Sequence, residues 1–304
     1  MTVKILLTGS KGFLGSHTAD CLNTNPDIRL TCSVQRLFSN ADWSAELVGQ
    51  QVVIHCAGLT NVFKNEFADT LSEFRRVNVQ GTLKLCQQAA TFGVRRFIFI
   101  SSIKVNGEQT PLDRPFTATD TPAPVDAYGI SKNEAEEGIR KVALETGMEI
   151  VIIRPPLVYG PNAKGNFARL LNLVNKGFLL PFGSIYNKRS LVSLDNLVDL
   201  IITCIKHPRA ANQVFLAGDG QDLSTTELLR AIASATGVSS RLLPMPAFVL
   251  MFAASLLGKK AIAQRLLGSL QVDISKARNL LGWIPPLSVE EGLRRCFVEN
   301  EDRL

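Results

Sequence analysis

The chain lacks the features that mark several common classes of protein. Its six cysteines (Cys21, Cys32, Cys56, Cys86, Cys204 and Cys296) are scattered, with no C-x-x-C pair. They read as small core residues in a reducing compartment rather than as a disulfide framework, and no metal site is assigned. No run of Lys or Arg is longer than two, which argues against a nucleic-acid groove. The most apolar stretch, Ala247 to Leu257, falls well below the ~20 residues needed to span a bilayer. It is expected to be a buried or pocket-lining helix, with no stable membrane insertion. The first strand begins at Val3, leaving no room for a signal peptide, so the cytoplasm is the expected location. What is present is 304 residues, 46% of them hydrophobic, with a formal charge of +6. That length and composition suit one large α/β domain with a smaller lobe, and the mild basicity suits a phosphate-bearing ligand.

The organising stretch is Val3 to Gly15. Val3 to Leu7 has the composition of a buried parallel strand. Gly9, Gly12 and Gly15 follow at intervals of three, and Ser16 to Leu22 can wind as a helix. Such a turn lets the backbone approach a pyrophosphate and offers it the free N–H groups of a helix N-terminus. This arrangement predicts a dinucleotide site.

Further strands are expected at Ile28 to Val34, Gln51 to His55, Phe97 to Ser101 and Glu149 to Ile153, separated by helical stretches. Only Leu37 to Gln50 joins the second strand to the third, so this side of the sheet should be abbreviated. Cys56-Ala57-Gly58 supplies small residues against which a cofactor can lie, and His55 reads as a packed strand-end residue. Phe67 to Phe92 reads as one long helix, in which Asn78 is a poor helix former whose amide suggests a buried hydrogen-bonding role. The alternation predicts a doubly wound parallel sheet of Rossmann type. Residues 1–156 form the dinucleotide-binding domain, with the sheet completed by 190–217. Residues 157–189 and 218–304 form a smaller, mainly helical substrate lobe over the strand C-termini.

Tyr128 and Lys132 stand four apart at the start of a helix expected to run to Thr146, on one face. A free tyrosine has a pKa of about 10. One unit charge at ~5 Å with an effective dielectric of ~20 is worth roughly 3 kcal/mol, or about two pKa units. A lysine and a nicotinamide cation beside the phenol are therefore expected to bring it into the range for proton transfer. Ser102, at a strand end, can hold the same substrate oxygen.

Taken in order, these residues resemble the extended short-chain dehydrogenases/reductases, in particular the epimerase/dehydratase group acting on nucleotide sugars. The matches are Thr8-Gly9-x-x-Gly12-Phe13-Leu14-Gly15, Asn78 with Gly81-Thr82, Ser102, Tyr128-x-x-x-Lys132 and Arg154-Pro155. Looser matches are Leu157 to Pro161, Asn166-Phe167, Arg189, Asp273-x-Ser275-Lys276-Ala277 and Leu281-Gly282-Trp283. The resemblance implies a catalytic group of Ser102, Tyr128 and Lys132 organised by Asn78. It also implies a cofactor site of Gly9, Gly12, Phe13, Leu14, Gly15, Arg36, Cys56, Ala57 and Gly58, together with Tyr128 and Lys132. Lys104, Asn166, Arg189 and Arg265 are the substrate-side candidates, with Arg189 matching a diphosphate-binding position. Two departures carry information. Ser102-Ile103-Lys104 stands where sugar-nucleotide 4,6-dehydratases carry Thr-Asp-Glu, which argues against elimination of water. Arg265-x-x-Gly268-Ser269 lacks the acid that usually follows the glycine, which weakens a ribose contact there.

The strand end at Gln35-Arg36 has no carboxylate for an unphosphorylated ribose, whereas Arg36 can take a 2′-phosphate. NADP(H) is therefore favoured over NAD(H). That preference leads to the main reading, reduction of a UDP-linked 4-keto-6-deoxy-N-acetylhexosamine. The alternative is a UDP-hexose or UDP-N-acetylhexosamine 4-epimerase. A non-catalytic dinucleotide sensor would require a broken catalytic set, and this set is intact. The expected partners are the nucleotide sugar and no nucleic acid, with a homodimer left open.

Overall fold

The computed structural model describes residues 2–60, 70–163 and 165–297. The first half alternates β1 (Val3–Thr8), α1 (Phe13–Asn23), β2 (Ile28–Cys32), the single turn α2 (Ser44–Leu47) and β3 (Val52–His55). A long helix follows in three parts: α3 (Thr70–Phe74), a π-helical turn (Arg75–Gly81) and α4 (Thr82–Thr91). Then come β4 (Arg96–Ile100), α5 (Ala127–Thr146) and β5 (Glu149–Arg154). The second half contains β6 (Leu157–Tyr159), α6 (Asn166–Asn175), β7 (Arg189–Ser193), α7 (Leu194–Lys206), β8 (Gln213–Leu216) and β9 (Asp222–Leu223). It ends in helices α8 (Thr225–Ala235), α9 (Ala247–Leu256), α10 (Lys260–Leu267), α11 (Ser275–Leu281) and α12 (Val289–Arg295).

The large sheet has the order β2-β1-β3-β4-β5-β8, and every pairing in it is parallel. All residues of β3 and β4 are buried, as expected for strands covered on both faces by helices. Ile5, Leu7, Ile54, Ile98 and Ile153 point to one apolar layer; Leu6, Val53, Phe97, Phe99 and Ile152 point to the other. The chain leaves β1 in opposite directions toward β2 and β3. The C-terminal ends of β1 and β3 therefore flank the switch point where such sheets bind ligands. The expected abbreviation is present: no strand separates β2 from β3, and β2 is an edge strand.

Four details differ from the sequence reading. Helix α1 starts at Phe13 rather than Ser16, so Gly15 lies in its first turn; a Cβ on Gly15 would sit 2.0 Å from the Gly9 carbonyl oxygen. The helix expected from Phe67 is interrupted by the π turn, and Phe67 itself lies outside the described residues. Within 190–217, Gln213–Leu216 completes the large sheet, but β7 joins a smaller mixed sheet of order β6-β7-β9, so the lobe is not helical alone. Finally, α9 is neither buried nor pocket-lining, because none of its residues is buried. The lobe core is assembled instead from β6, β7, α6, α8 and α12, through Tyr159, Phe167, Leu191, Leu229, Ile232 and Leu293. That core leaves α9 on its outside.

Candidate active site

Two features shape the turn after β1. Gly9 adopts φ +74°, and a Cβ there would lie 2.6 Å from the Ala57 amide nitrogen. Only glycine fits a left-handed position against a neighbouring backbone. The turn then opens a cleft of about 470 Å³ lined by Gly9, Ser10, Lys11 and Gly12, by Ser33 to Phe38, by Cys56 to Leu59, and by Arg76 and Val77. Of the expected cofactor residues, Gly9, Gly12, Arg36, Cys56, Ala57 and Gly58 line it. Phe13, Leu14 and Gly15 do not: Leu14 packs on the sheet core, and the Phe13 ring approaches Gly160. The end of β2 is fixed by Ser10 Oγ donating to the Ser33 carbonyl at 3.0 Å and by the Gln35 amide donating to Ser33 Oγ at 3.1 Å. No lining residue among those described is acidic, whereas Lys11, Arg36 and Arg76 are basic. The narrow glycine turn, flat small-residue wall and cationic rim fit a dinucleotide.

Behind Gly58 of this wall stand Lys132 and Asn78, with Tyr128 beside Lys132 and Ser102 hydrogen-bonded to Tyr128. Asp126 caps α5, accepting from the Gly129 amide at 2.8 Å, and so starts the helix that carries Tyr128 and Lys132. Lys132 is buried, donates to the Ile100 carbonyl at 2.9 Å, and lies 4.6 Å from the Phe99 ring centre and 6.0 Å from that of Tyr128. Burial lowers its pKa to about 8. A Cβ on Gly58 would be 3.3 Å from the lysine Nζ, so the glycine leaves room for it. Asn78 is buried within the π turn. Its Oδ1 accepts from the Leu59 amide at 2.7 Å, and its Nδ2 donates to the Leu59 carbonyl at 2.9 Å and to Ser131 Oγ at 3.1 Å. The asparagine thus ties the loop after β3 to α5. π turns concentrate at functional sites, and here the turn also brings Gly81 so near Leu37 that a Cβ would lie 3.0 Å from the leucine Cβ.

The electrostatics of Tyr128 depart from the sequence reading. Burial first, and the charge of Asp126 second, push the phenol up to about 12, while a hydrogen bond with Ser102 acts in the opposite direction. The protein's own groups therefore hold Tyr128 as a proton donor, and Lys132 alone does not depress it. Behind this floor lies a buried ion pair. Arg154 donates to Glu136 at 2.9 and 2.6 Å and to Asn106 Oδ1 at 2.9 Å, and Ser101 Oγ donates to Glu136 at 2.5 Å. It fixes the ends of β4 and β5 to α5. His55 is fully buried between Thr8 (2.6 Å) and Thr82 (2.9 Å), and burial lowers its pKa to about 3. It is a packed strand-end residue, as expected.

Three of the four substrate-side candidates, Lys104, Arg265 and Arg189, lie along one chain of contacts. Lys104 is ion-paired with Asp126 and sits 5.8 Å from the Tyr128 ring centre and 3.8 Å from Glu108. Glu108 in turn lies 3.5 Å from Arg265. Arg189 donates to the backbone carbonyls of Arg265 at 2.7 Å and Gly268 at 3.0 Å, so it anchors the end of α10. A continuous polar path thus runs from Tyr128 to the two arginines. Asn166 opens α6, and its side chain lies outside the described residues. Sequence reasoning missed Asp126, whose place before Tyr128 fits the N-cap pattern, and Arg76 and Glu108, for which no local signal exists. The described residues hold no cluster of His, Cys, Asp or Glu suited to a metal ion.

This assembly of glycine turn, Ser102, Tyr128 and Lys132 on a parallel sheet defines an enzyme of the short-chain dehydrogenase/reductase class. Residues 5–218 match the NAD dependent epimerase/dehydratase family. The chain is 47% identical to UDP-glucose 4-epimerase of Vibrio cholerae, over 100% of this chain and 98% of that protein. It is 26% identical to an N-acetyl-α-D-glucosaminyl-diphospho-ditrans,octacis-undecaprenol 4-epimerase of Escherichia coli O157:H7, over 98% and 95%. Its fold superposes on UDP-glucuronic acid 4-epimerase from Bacillus cereus in complex with NAD, with TM-score 0.78 and 21% identity over 96% and 97% of the two chains. The chain belongs to the NAD dependent epimerase/dehydratase family.

Proposed function

We propose that the protein is an NAD(P)-dependent 4-epimerase of UDP-hexoses. The observation that supports this most is the 47% identity, along the whole chain, to a UDP-glucose 4-epimerase. The Escherichia coli relative is also named a 4-epimerase, although its diphosphate is joined to undecaprenol. Reaction at C4 is common to the two, and it supports epimerisation over the one-way reduction read from Arg36.

The dinucleotide supplies hydride exchange at C4 and, when oxidised, a cationic ring. Tyr128 exchanges a proton with the C4 oxygen, and Ser102 holds that oxygen by a hydrogen bond. Lys132, with a pKa of about 8, is a cation at neutral pH, and it would favour the ionised phenol only together with the positive charge of an oxidised nicotinamide. Asn78 is a positioning residue, because its bonds run to Leu59 and Ser131. Arg189 and Arg265 take the diphosphate. Between the two half-reactions the 4-keto sugar would present its other face, and Tyr128 would return the proton to the C4 oxygen there.

Arg36 supports a second reading, NADPH-dependent reduction of a 4-keto nucleotide sugar, since a guanidinium beside the ribose suits a 2′-phosphate. Incubation with UDP-glucose and with UDP-N-acetylglucosamine, without added reductant, separates the two. Formation of the C4 epimer, followed by proton NMR, is the expected outcome. Turnover confined to a 4-keto-6-deoxy sugar with NADPH would replace epimerisation by reduction. Arg36→Ala is expected to erase a preference of about tenfold for NADPH over NADH, measured by fluorescence titration.

A further inference from the structure

Helix α9 is apolar on every side, and yet none of its residues is buried. Phe248 is 74% exposed, Phe252 68% and Leu256 73%. Leu243, just before the helix, and Leu257, just after it, are exposed as well. A helix this apolar is normally covered, and an exposed patch of this kind marks an interaction surface. The neighbouring segment adds to it. Phe178 and Leu179 are exposed, and the chain after them runs beside 241–246 through the Leu180–Leu242 and Ser184–Pro246 bridges.

The charge around this face identifies its partner. The lobe, residues 157–189 and 218–304, carries fifteen Lys and Arg against nine Asp and Glu, and 228–272 within it, which holds α9 and α10, carries five Lys and Arg and no Asp or Glu. The rest of the chain is balanced, with eighteen Lys and Arg against eighteen Asp and Glu, so the net positive charge resides in the lobe. Lys259 and Lys260 directly follow the apolar helix, and both are exposed. An apolar helix followed by two exposed lysines, in a stretch (228–272) without carboxylates, is complementary to an apolar layer beneath anionic headgroups. At ten residues, α9 is too short to span a bilayer, and no described helix is long and apolar enough to do so.

Attachment also differs between α9 and its neighbour. The end of α10 is held by Arg189, by Asn187 donating to the carbonyls of Leu266 at 3.2 Å and Gly268 at 2.9 Å, and by Thr225 donating to Leu266 at 2.5 Å. The one hydroxyl of α9, on Ser255, bonds within its own helix to Met251 at 2.9 Å. We infer that α9 is a docking surface for an anionic lipid bilayer, lying in its interface, with α10 as the rigid link to the substrate wall.

The test is cosedimentation of the full chain with vesicles of phosphatidylethanolamine and phosphatidylglycerol, against vesicles of phosphatidylcholine alone. Binding to the anionic vesicles is expected at least tenfold tighter than to the neutral ones, and weaker as salt rises. The triple variant Phe248→Ser, Phe252→Ser, Leu256→Ser is expected to lose binding tenfold or more. Lys259→Ala with Lys260→Ala is expected to weaken it several-fold and to flatten the salt dependence. The thermal midpoint of both variants should stay at the parent value, since the altered side chains are exposed. Three results would overturn the inference: no binding to anionic vesicles, equal binding to neutral ones, or binding retained by the triple variant. A parent oligomer that dissociates in the triple variant, with no vesicle binding, would assign the face to a second copy instead. Binding is read without turnover, so this outcome is independent of the proposed reaction.

Discussion

The two walls of the candidate site are built on opposite plans. On the sheet side, Asn78 and Lys132 are buried, and their polar ends are tied to backbone or neighbouring side chains. The Glu136–Arg154 pair locks the floor beneath them. On the substrate side, Lys104 and Arg265 are partly or well exposed, Lys104 in direct contact with Asp126 and Arg265 3.5 Å from Glu108. Proton transfer depends on fixed distances, so its residues belong where packing leaves one arrangement. Recognition of a flexible diphosphate tolerates mobile cations, which retain their hydration until the ligand arrives. On the proposed reaction, changes in substrate would be accommodated on the substrate side, and changes on the sheet side would cost turnover.

The contrast can be broken most sharply at Tyr128. Tyr128→Phe keeps the buried ring and its edge contact with Phe74 at 5.8 Å but removes the proton. Turnover should fall by about 10²–10⁴-fold with cofactor affinity unchanged in fluorescence titration; near-parent turnover would remove Tyr128 from the chemistry. Next in size is Arg154→Met, which leaves the Glu136 carboxylate buried without its partner. A loss of about 3–5 kcal/mol is expected in urea denaturation, with most of it recovered when Glu136 is also made Leu. A smaller effect belongs to His17, which bonds Asp195 at 2.8 Å and links α1 to α7. That bond raises the histidine pKa to about 9 and lowers that of Asp195. The raised His17 contributes stability that is complete below its ordinary value of 6.5 and is lost as pH rises through about 9. Asp195 adds the acid limb, losing its share as pH falls below the ordinary carboxylate range. His17→Ala should cost about 2 kcal/mol near pH 6 and little at pH 10, and parallel stability curves for the two proteins would refute the link. Smallest is Arg189→Ala on the lobe side, with KM for the nucleotide sugar raised about tenfold and kcat nearly unchanged. A drop in kcat with constant KM would mean that Arg189 acts by holding α10 rather than by meeting substrate.

Much of the sheet side was legible beforehand because its signals are local. A glycine turn between a strand and a helix, and two side chains four apart on α5, are fixed by short-range geometry. Five of the large sheet's six strands were read from short apolar runs, and the sixth was placed only within 190–217. The lobe side was less legible because its contacts are distant in sequence: Lys104 meets Asp126 22 residues away, and Arg189 meets Arg265 76 residues away. The π turn left no trace, since an apolar face continues through it. Helix α9 shows a different failure. Hydrophobicity states what a segment prefers, and only the assembled lobe shows that the fold provides no cover for it.

The edge position of β2 has a consequence for how this chain tolerates change. Without a strand between β2 and β3, the outer side of β2 presents peptide groups to which another extended chain could add itself. The edge is protected by being only five residues long and by placing Arg29 within it. Lengthening the connection between Leu37 and Trp43 by a hairpin would offer the sheet a seventh strand at a point remote from Tyr128. A graft there would carry new sequence on the outside of the enzyme while the catalytic wall keeps its register.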